Sequence, residues 1–548
     1  MSRFARIGLI VLIGALFFAW HSPLLSPEGR VRGFNSDAAI IALMGKKMLE
    51  GRGFDVFFWG QNYVGPLTSI FIAGAGAMTG GVDPLALRLG TFLEVLAGIL
   101  LTGLAVSRLD RRAAVAAMVA LAITPPVILR MMVTPLGAEM AFVFASALLA
   151  LFFWYPRPLA LGLLAGFSWW MNQQVVFTLI AGALVLAFRS PAMRRELLLL
   201  RERWAFRTTP MPGVVQAFAW LSTRIGLLLL ILFVAFDLLS IDVMPFIFGR
   251  ATDALLLLLV PFALPLVFGE WRRFSLPPLA PLARFALGFA IGYAPVWLGA
   301  LLGWYERTYV FAFRMNYPSG VLEQLRSFPR VAAHWTGAAP GLLGILYAIA
   351  LCIFLGAALW KARASEGRVL LALIPLGNLA FYLLAEGAKP HYLIASVGML
   401  FALAALGAVD LWPHSRPLVA AGAVIAILSL ATSARTMHHD VLREPDPRPL
   451  LARVEAAGCQ VCYTDFWLAY RYRLLDEERR AWIPYLSQNR TRAESRAMQQ
   501  LPGQRCLVGP DGVVQPIPHD LPLTHEPPRS GTSTGAAPPP NRQRRGPG

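Results

Sequence analysis

The chain has 548 residues, of which 57% are hydrophobic and only 15% charged, with a formal net charge of +18 at neutral pH. Soluble domains carry about 25% charged residues, so this deficit excludes a soluble multidomain protein and places most of the chain in lipid. The arginines cluster between apolar runs rather than along one amphipathic face, which assigns the positive charge to the flanks of membrane segments and excludes nucleic acid as a partner.

The N-terminal stretch MSRFARIGLIVLIGALFFAWHS has a basic start and a short apolar core, with no small-residue cleavage site after it. It predicts a retained first span that runs on through Pro23 to Leu25. A spanning helix needs about 20 mostly apolar residues. By that measure spans fall near 4–22, 84–106, 113–129, 138–155, 158–171, 174–189, 219–240, 252–269, 284–303, 339–360, 368–386, 391–411 and 417–434. Alternating these thirteen segments puts Arg3 and Arg6, then Arg108, Arg111 and Arg112, then the arginines between 189 and 207, then Arg272 and Arg273, then Lys361, Arg363 and Arg368, all on one side. Such short basic loops mark the cytoplasmic side. The predicted protein is therefore multi-pass in the cell inner (plasma) membrane, with residues 23–83 and 304–338 as long outer loops and its C-terminal part extracytoplasmic.

Within the first outer loop, Asn35 and Ser36 can cap a helix whose first turn holds Asp37. Ile40, Ile41, Met44, Met48 and Leu49 recur on one face and Lys46 and Lys47 lie on the other, and Gly51 can end it. That pattern predicts an amphipathic helix lying in the membrane interface. A short Gly-rich apolar stretch at 66–80 reads as interfacial or re-entrant; the alternative is a span, which would flip the topology. The second loop carries Tyr305, Arg307, Arg314, Asn316, Tyr317 and Arg326, a basic and aromatic surface.

The fold class that follows is an all-α polytopic membrane module over residues 1–440, a small α/β domain over 441–522, and a Pro-, Gly- and Arg-rich tail over 523–548. In the small domain a helix near 447–457 ends at Gly458. The strand CQVCYT follows, then a helix carrying Phe466, Trp467, Tyr470 and Leu474, and a late strand RCLVG. Cys506 can pair with Cys459 or with Cys462, or all three can be small buried residues. The CxxC of Cys459 and Cys462 has no second pair that would complete a zinc site.

The stretch NSDAAIIALMGKKMLEGRGFDVFFWGQNYVGPL, directly after the first span, and DPLALRLGTFLEVLAGILL, opening the next, resemble the GT-C superfamily of membrane glycosyltransferases. The likeness is to its protein O-mannosyltransferase and lipid A aminoarabinose transferase branch (glycosyltransferase family 39-like). The resemblance implies that Asp37 is the essential aspartate after the first span, and that Arg88 is the arginine opening the next. It also implies that Lys389, His391 and Tyr392, in EGAKPHYLIAS, match a basic-Tyr pair near the outer end of a late span. By implication the partners are a polyprenyl-phosphate-sugar lipid donor and a lipid, glycan or protein acceptor. Cofactors are either none or a divalent metal ion. Two departures stand out. Ala38 replaces a second acid found in many relatives, and GQNYVGP replaces the Lys-Pro-Pro stretch of the aminoarabinose branch.

Transfer of a sugar from a lipid phosphate needs a carboxylate to take the acceptor hydroxyl's proton and cations to hold the departing phosphate. Asp37 is the candidate base; a first-turn Asp is also favoured by the helix dipole alone, by about 0.3–1 kcal/mol. Glu139 either assists Asp37 or pairs with Arg130. Asp55 reads as a surface charge. Arg88 meets a phosphate or a loop carboxylate, and Lys389, His391 and Tyr392 meet the carrier phosphate or anchor the interface. Gln61 and Tyr63 are candidates to line a sugar site, and Trp169 and Trp170 read as interface aromatics. No Walker loop, no GxGxxG after a strand and no His pair at zinc spacing occurs. A lipid or sugar transporter or flippase, and a non-catalytic GT-C-like assembly subunit, are the alternatives.

Overall fold

The computed structural model describes residues 3–59, 61, 64–137, 139–189, 279–302, 318–362, 365–384, 389–484, 498–509 and 512–518. The spans expected at 219–240 and 252–269, Tyr63, the loop residues Tyr305 to Tyr317, the arginines between 194 and 207, Arg272, Arg273, Arg363 and the tail after 522 lie outside the described residues.

Among the described residues six helices are long and apolar enough to cross a membrane, or seven if one bent pair counts as a single span. With the composition, this makes the chain a multi-pass membrane protein. The first is α1 (Arg3–His21), extended by a 3-10 turn through Leu25 as the sequence predicts. Next come α2 (Ser36–Leu49), α3 (Leu67–Thr79) and α4 (Pro84–Val106). The stretch expected as one span at 113–129 is instead two helices, α5 (Arg111–Ile123) and α6 (Pro126–Val133), bent by 52°. The cause is local: Pro125 and Pro126 bring no N–H to continue the ladder, and Thr124, at φ 65, turns the chain into the left-handed region before them.

Thr124 is held in that strained state by a buried relay. Its hydroxyl donates to the carbonyl of Leu121 (3.0 Å) and lies 2.9 Å from His21 Nε2, while His21 Nδ1 lies 3.0 Å from His438 Nε2. The relay ties α1, the α5–α6 break and the helix Arg416–Arg443 at one point.

The bundle continues with α7 (Glu139–Trp154), α8 (Pro158–Met171), α9 (Val176–Arg189), α10 (Leu279–Gly292) and α11 (Ala294–Leu301). It closes with α12 (Pro318–Thr336), α13 (Leu342–Ala362), α14 (Glu366–Leu384), α15 (Val397–Leu411) and α16 (Arg416–Arg443). A 3-10 turn at Pro390–Ser396 leads into α15. Helices α8 and α10 touch through matched small residues. A Cβ at Gly162 or Gly166 would come within 2.0–2.1 Å of the Phe285 or Phe289 carbonyl, and one at Gly288 or Gly292 within 2.1–2.2 Å of the Leu159 or Leu163 carbonyl. Small residues spaced four apart on both helices are what lets two backbones meet in lipid.

The C-terminal domain holds α17 (Arg448–Ala456), β1 (Cys459–Thr464), α18 (Phe466–Leu475), β2 (Ala481–Pro484), β3 (Gln504–Val508) and β4 (Val514–Ile517). Its sheet has the order β2-β1-β3-β4, with β1 parallel to β2 and β3, and β4 antiparallel to β3. Strands β2 and β4 go beyond the two strands that the sequence signals. The disulfide joins Cys459 to Cys506, with Cα atoms 5.8 Å apart. Cys462 remains a buried thiol whose pKa burial pushes up to about 12.

Candidate functional site

Helix α2 begins where the sequence predicts. Asn35 is its cap, accepting the Ala38 N–H at 3.1 Å, and Asp37 follows in the first turn. Its burial goes beyond one amphipathic face: every residue from Ser36 to Gly45 is buried, Asp37 at 6% exposure. The reason is a cover that periodicity cannot show, namely α18 of the C-terminal domain, which puts Phe466, Tyr470 and Leu474 into the same apolar cluster as Ala38 to Met44. Only at its end does α2 show charge, where Lys46 pairs with Glu478 (2.8 Å) and Lys47 with Asp55 (2.7 Å).

Arg88, opening α4, is fully buried. Its guanidinium donates to the carbonyls of Met132, Val133 and Arg32 and stands over the Phe34 ring. Arg32 donates to the Leu442 carbonyl, and Arg471 donates to the Val31 carbonyl while facing the same ring. Gly33 completes the knot. At φ +77 it packs where a Cβ would come within 2.8 Å of Val441 and Val133 side chains, and its N–H donates to Glu444 (3.0 Å). These cations hold the segment that leads into Asp37 against the end of α6.

One turn back on α6 the charges are arranged otherwise. Arg130 is exposed, and it acts electrostatically on His334 of α12 and on His391 of the turn before α15; Lys389 acts on His391 as well. Burial first, then Arg130, holds the His334 imidazole down to about 4. Its Nε2 has no hydrogen-bond partner, and among the described residues no carboxylate pairs with Arg130 or Lys389. Tyr392 stacks edge-on to His391 at 4.7 Å between ring centroids. The structure thus brings the predicted Lys389, His391 and Tyr392 together and adds Arg130 and His334, which the sequence reading did not place here. The signal was present in the Thr124-Pro125-Pro126 break, which puts Arg130 on a short helix of its own.

Glu139 is fully buried and does not pair with Arg130. It accepts from Thr68 (3.0 Å) and from the N–H groups of Gly137 (3.1 Å) and Leu136 (3.4 Å), closing the turn into α7. Glu94, also fully buried and facing Glu139 from α4, is an acid that the sequence reading passed over. An acid ten residues into an apolar span is the signal that marks it. Gln61 sits at the tip of a hairpin, its N–H donating to Phe58 (2.9 Å), and Val64 pairs with Asn172, whose amide reaches the Gly137 carbonyl (2.7 Å). Trp169 and Trp170 are buried in the core rather than spread along an interface, with Trp170 donating to Val56 (2.8 Å).

Among the described residues no three His, Cys, Asp or Glu side chains converge as a set of metal ligands. The chemistry below uses the chain's own groups.

No family model matches the chain, and no curated protein sequence matches it. The chain is similar to solved membrane proteins. Against the apo oligosaccharyltransferase of Archaeoglobus fulgidus the identity is 13% and the TM-score 0.45, over 88% of this chain and 64% of that one. Against the AglB oligosaccharyltransferase of the same organism, in complex with an inhibitory peptide and a dolichol-phosphate, identity is 14% and the TM-score 0.43, over 88% and 65%. Against ArnT of Cupriavidus metallidurans bound to undecaprenyl phosphate, identity is 13% and the TM-score 0.48, over 93% and 94%. The chain therefore spans about two thirds of the length of the archaeal proteins.

Proposed function

We propose that the chain is a glycosyltransferase that moves a sugar from a polyprenyl-phosphate donor to an acceptor hydroxyl, on the extracytoplasmic face where its C-terminal domain lies. One observation carries the reading: Arg130 and Lys389, with no acid paired to them among the described residues, face the imidazoles of His334 and His391 one turn of α6 from the knot that fixes the Asp37 segment. Structural cations in a membrane protein are spent on carbonyls or acids, as Arg88 is; unspent ones at the end of a bundle await an anion.

In this mechanism the carrier phosphate sits against Arg130, Lys389 and His391, with the imidazole of His334 as a further donor. The acceptor oxygen forms its bond to the anomeric carbon as the bond from that carbon to the phosphate oxygen breaks, the electron pair leaving on the phosphate. Asp37 takes the acceptor's proton. Fixed cations where negative charge grows are the main contribution, because they need no rearrangement as the bond breaks. Gln61 and Tyr63 are assigned to the sugar. Arg88 is assigned to holding the loop rather than to the phosphate, and Glu139 to holding the turn into α7.

The test is turnover. Protein reconstituted in liposomes with a radiolabelled, undecaprenyl-phosphate-linked sugar releases undecaprenyl phosphate. Asp37→Asn lowers that release by about 100- to 10,000-fold, the range for loss of a general base, with detergent melting unchanged. Full release by Asp37→Asn removes that residue from the mechanism, and movement of intact lipid without release identifies a flippase.

A further inference from the structure

Helices α2 and α18 lie side by side and run in the same direction, because they are fastened at matching ends. At the start, the Ser36 hydroxyl donates to the carbonyl of Phe466. At the finish, Lys46 meets Glu478 at 2.8 Å, and Arg52 approaches the same carboxylate oxygen at 3.6 Å. Between these points Phe466, Tyr470 and Leu474, four residues apart, bury a continuous stripe against α2.

The far fastening is built at a cost. Glu477 and Glu478, at φ 54 and 61, are consecutive non-glycine residues in the left-handed region, a state that is strained for each. The turn is secured from within the domain. Arg473 donates to Glu478 Oε1 through two nitrogens (3.0 and 2.6 Å), and Asp476 accepts from Trp482 Nε1 (3.1 Å) and Arg480 (2.5 Å). Glu478 therefore gives one oxygen to its own domain and the other to α2. Burial pushes its carboxyl up, but Lys46 and Arg473 outweigh that and hold it below the ordinary glutamate range.

We infer that α18 is a splint that sets the axial position of α2, and that Glu478 is a positioning residue for Asp37 acting through Lys46. The inference rests on the reading of Asp37 as the base. A helix held at both ends cannot slide along its neighbour, and a displacement of about 1 Å at a catalytic group costs on the order of a hundredfold in rate.

The experiment measures kcat and KM for the undecaprenyl-phosphate-linked sugar on the full chain in liposomes, for Glu478→Gln, Lys46→Met and Lys46→Arg, with melting temperature as the control. Glu478→Gln and Lys46→Met are expected to lower kcat by about tenfold or more while leaving KM within about twofold. Lys46→Arg, which keeps the ion pair, retains wild-type kcat. Lys46→Met reads the contact from the α2 side and leaves the Glu478–Arg473 pair in place, so it stands even where Glu478→Gln melts early. Wild-type kcat in Lys46→Met, or equal loss in Lys46→Arg, overturns the splint. Asp37→Asn in the same assay separates the two claims. If it is inactive while Glu478→Gln and Lys46→Met turn over normally, the splint alone fails; if it is active, the base assignment fails.

Discussion

Arg32, Arg88 and Arg471 gather around Phe34 at the end of α6, and His334, His391 and Lys389 gather about Arg130, one turn earlier on that helix. The first group gives its donors to the carbonyls of Val31, Arg32, Met132, Val133 and Leu442. The second has no such partners among the described residues, and His334 keeps a buried ring nitrogen without a hydrogen bond. Both are basic clusters in apolar surroundings, and composition does not tell them apart. What separates them is where the donors go: each guanidinium of the first group is anchored to carbonyls through a terminal nitrogen, though its Nε is unpartnered, while Arg130 faces two imidazoles and Lys389.

The largest effect is expected where the strut is cut. Arg88→Met leaves the carbonyls of Val133 and Arg32 without a donor, at about 1–3 kcal/mol each, while Met132 keeps the Thr91 hydroxyl, so detergent melting should fall steeply and expression with it. A melting point like wild type would show that the knot around Phe34 is not structural. On the open side, Lys389→Ala should leave melting unchanged and weaken undecaprenyl phosphate binding by up to about fivefold, as for an exposed charge. A melting shift there would blur the contrast.

The smallest effect concerns protons. Free His334, held at about 4, is neutral at pH 7. An arriving phosphate favours the imidazolium, so binding takes up a proton and affinity should rise a few-fold or less as pH falls from 8 toward 5. His334→Gln should flatten that slope in a lipid-binding titration. The same depressed value works against the fold in acid. The stability that comes from burying neutral His334 is complete above its unfolded value of 6.5 and is lost as pH falls toward 4.

The apolar runs made the spans legible, because a membrane helix has to be written in about 20 apolar residues. The Asn35 cap and the first-turn place of Asp37 were equally local and equally readable. What stayed hidden was pairing across distance. Nothing in Ser36–Leu49 says that α18, more than 400 residues on, covers it. Glu94 and Glu139 each read as a single acid in an apolar run until α4 and α7 pack together. Cys459 and Cys462 are three residues apart, so only the sheet chooses which meets Cys506. The break at Thr124 was readable from two prolines, yet the apolar run around it imitates an uninterrupted span.

The central claim, that Arg130 of α6 and Lys389 await a lipid phosphate, is tested most directly by titrating undecaprenyl phosphate into the protein in nanodiscs. The comparison is wild type against Arg130→Ala. Loss of an exposed charge in contact with the phosphate predicts binding weaker by up to about fivefold with the melting temperature unmoved. Equal affinity in the two proteins would contradict the account.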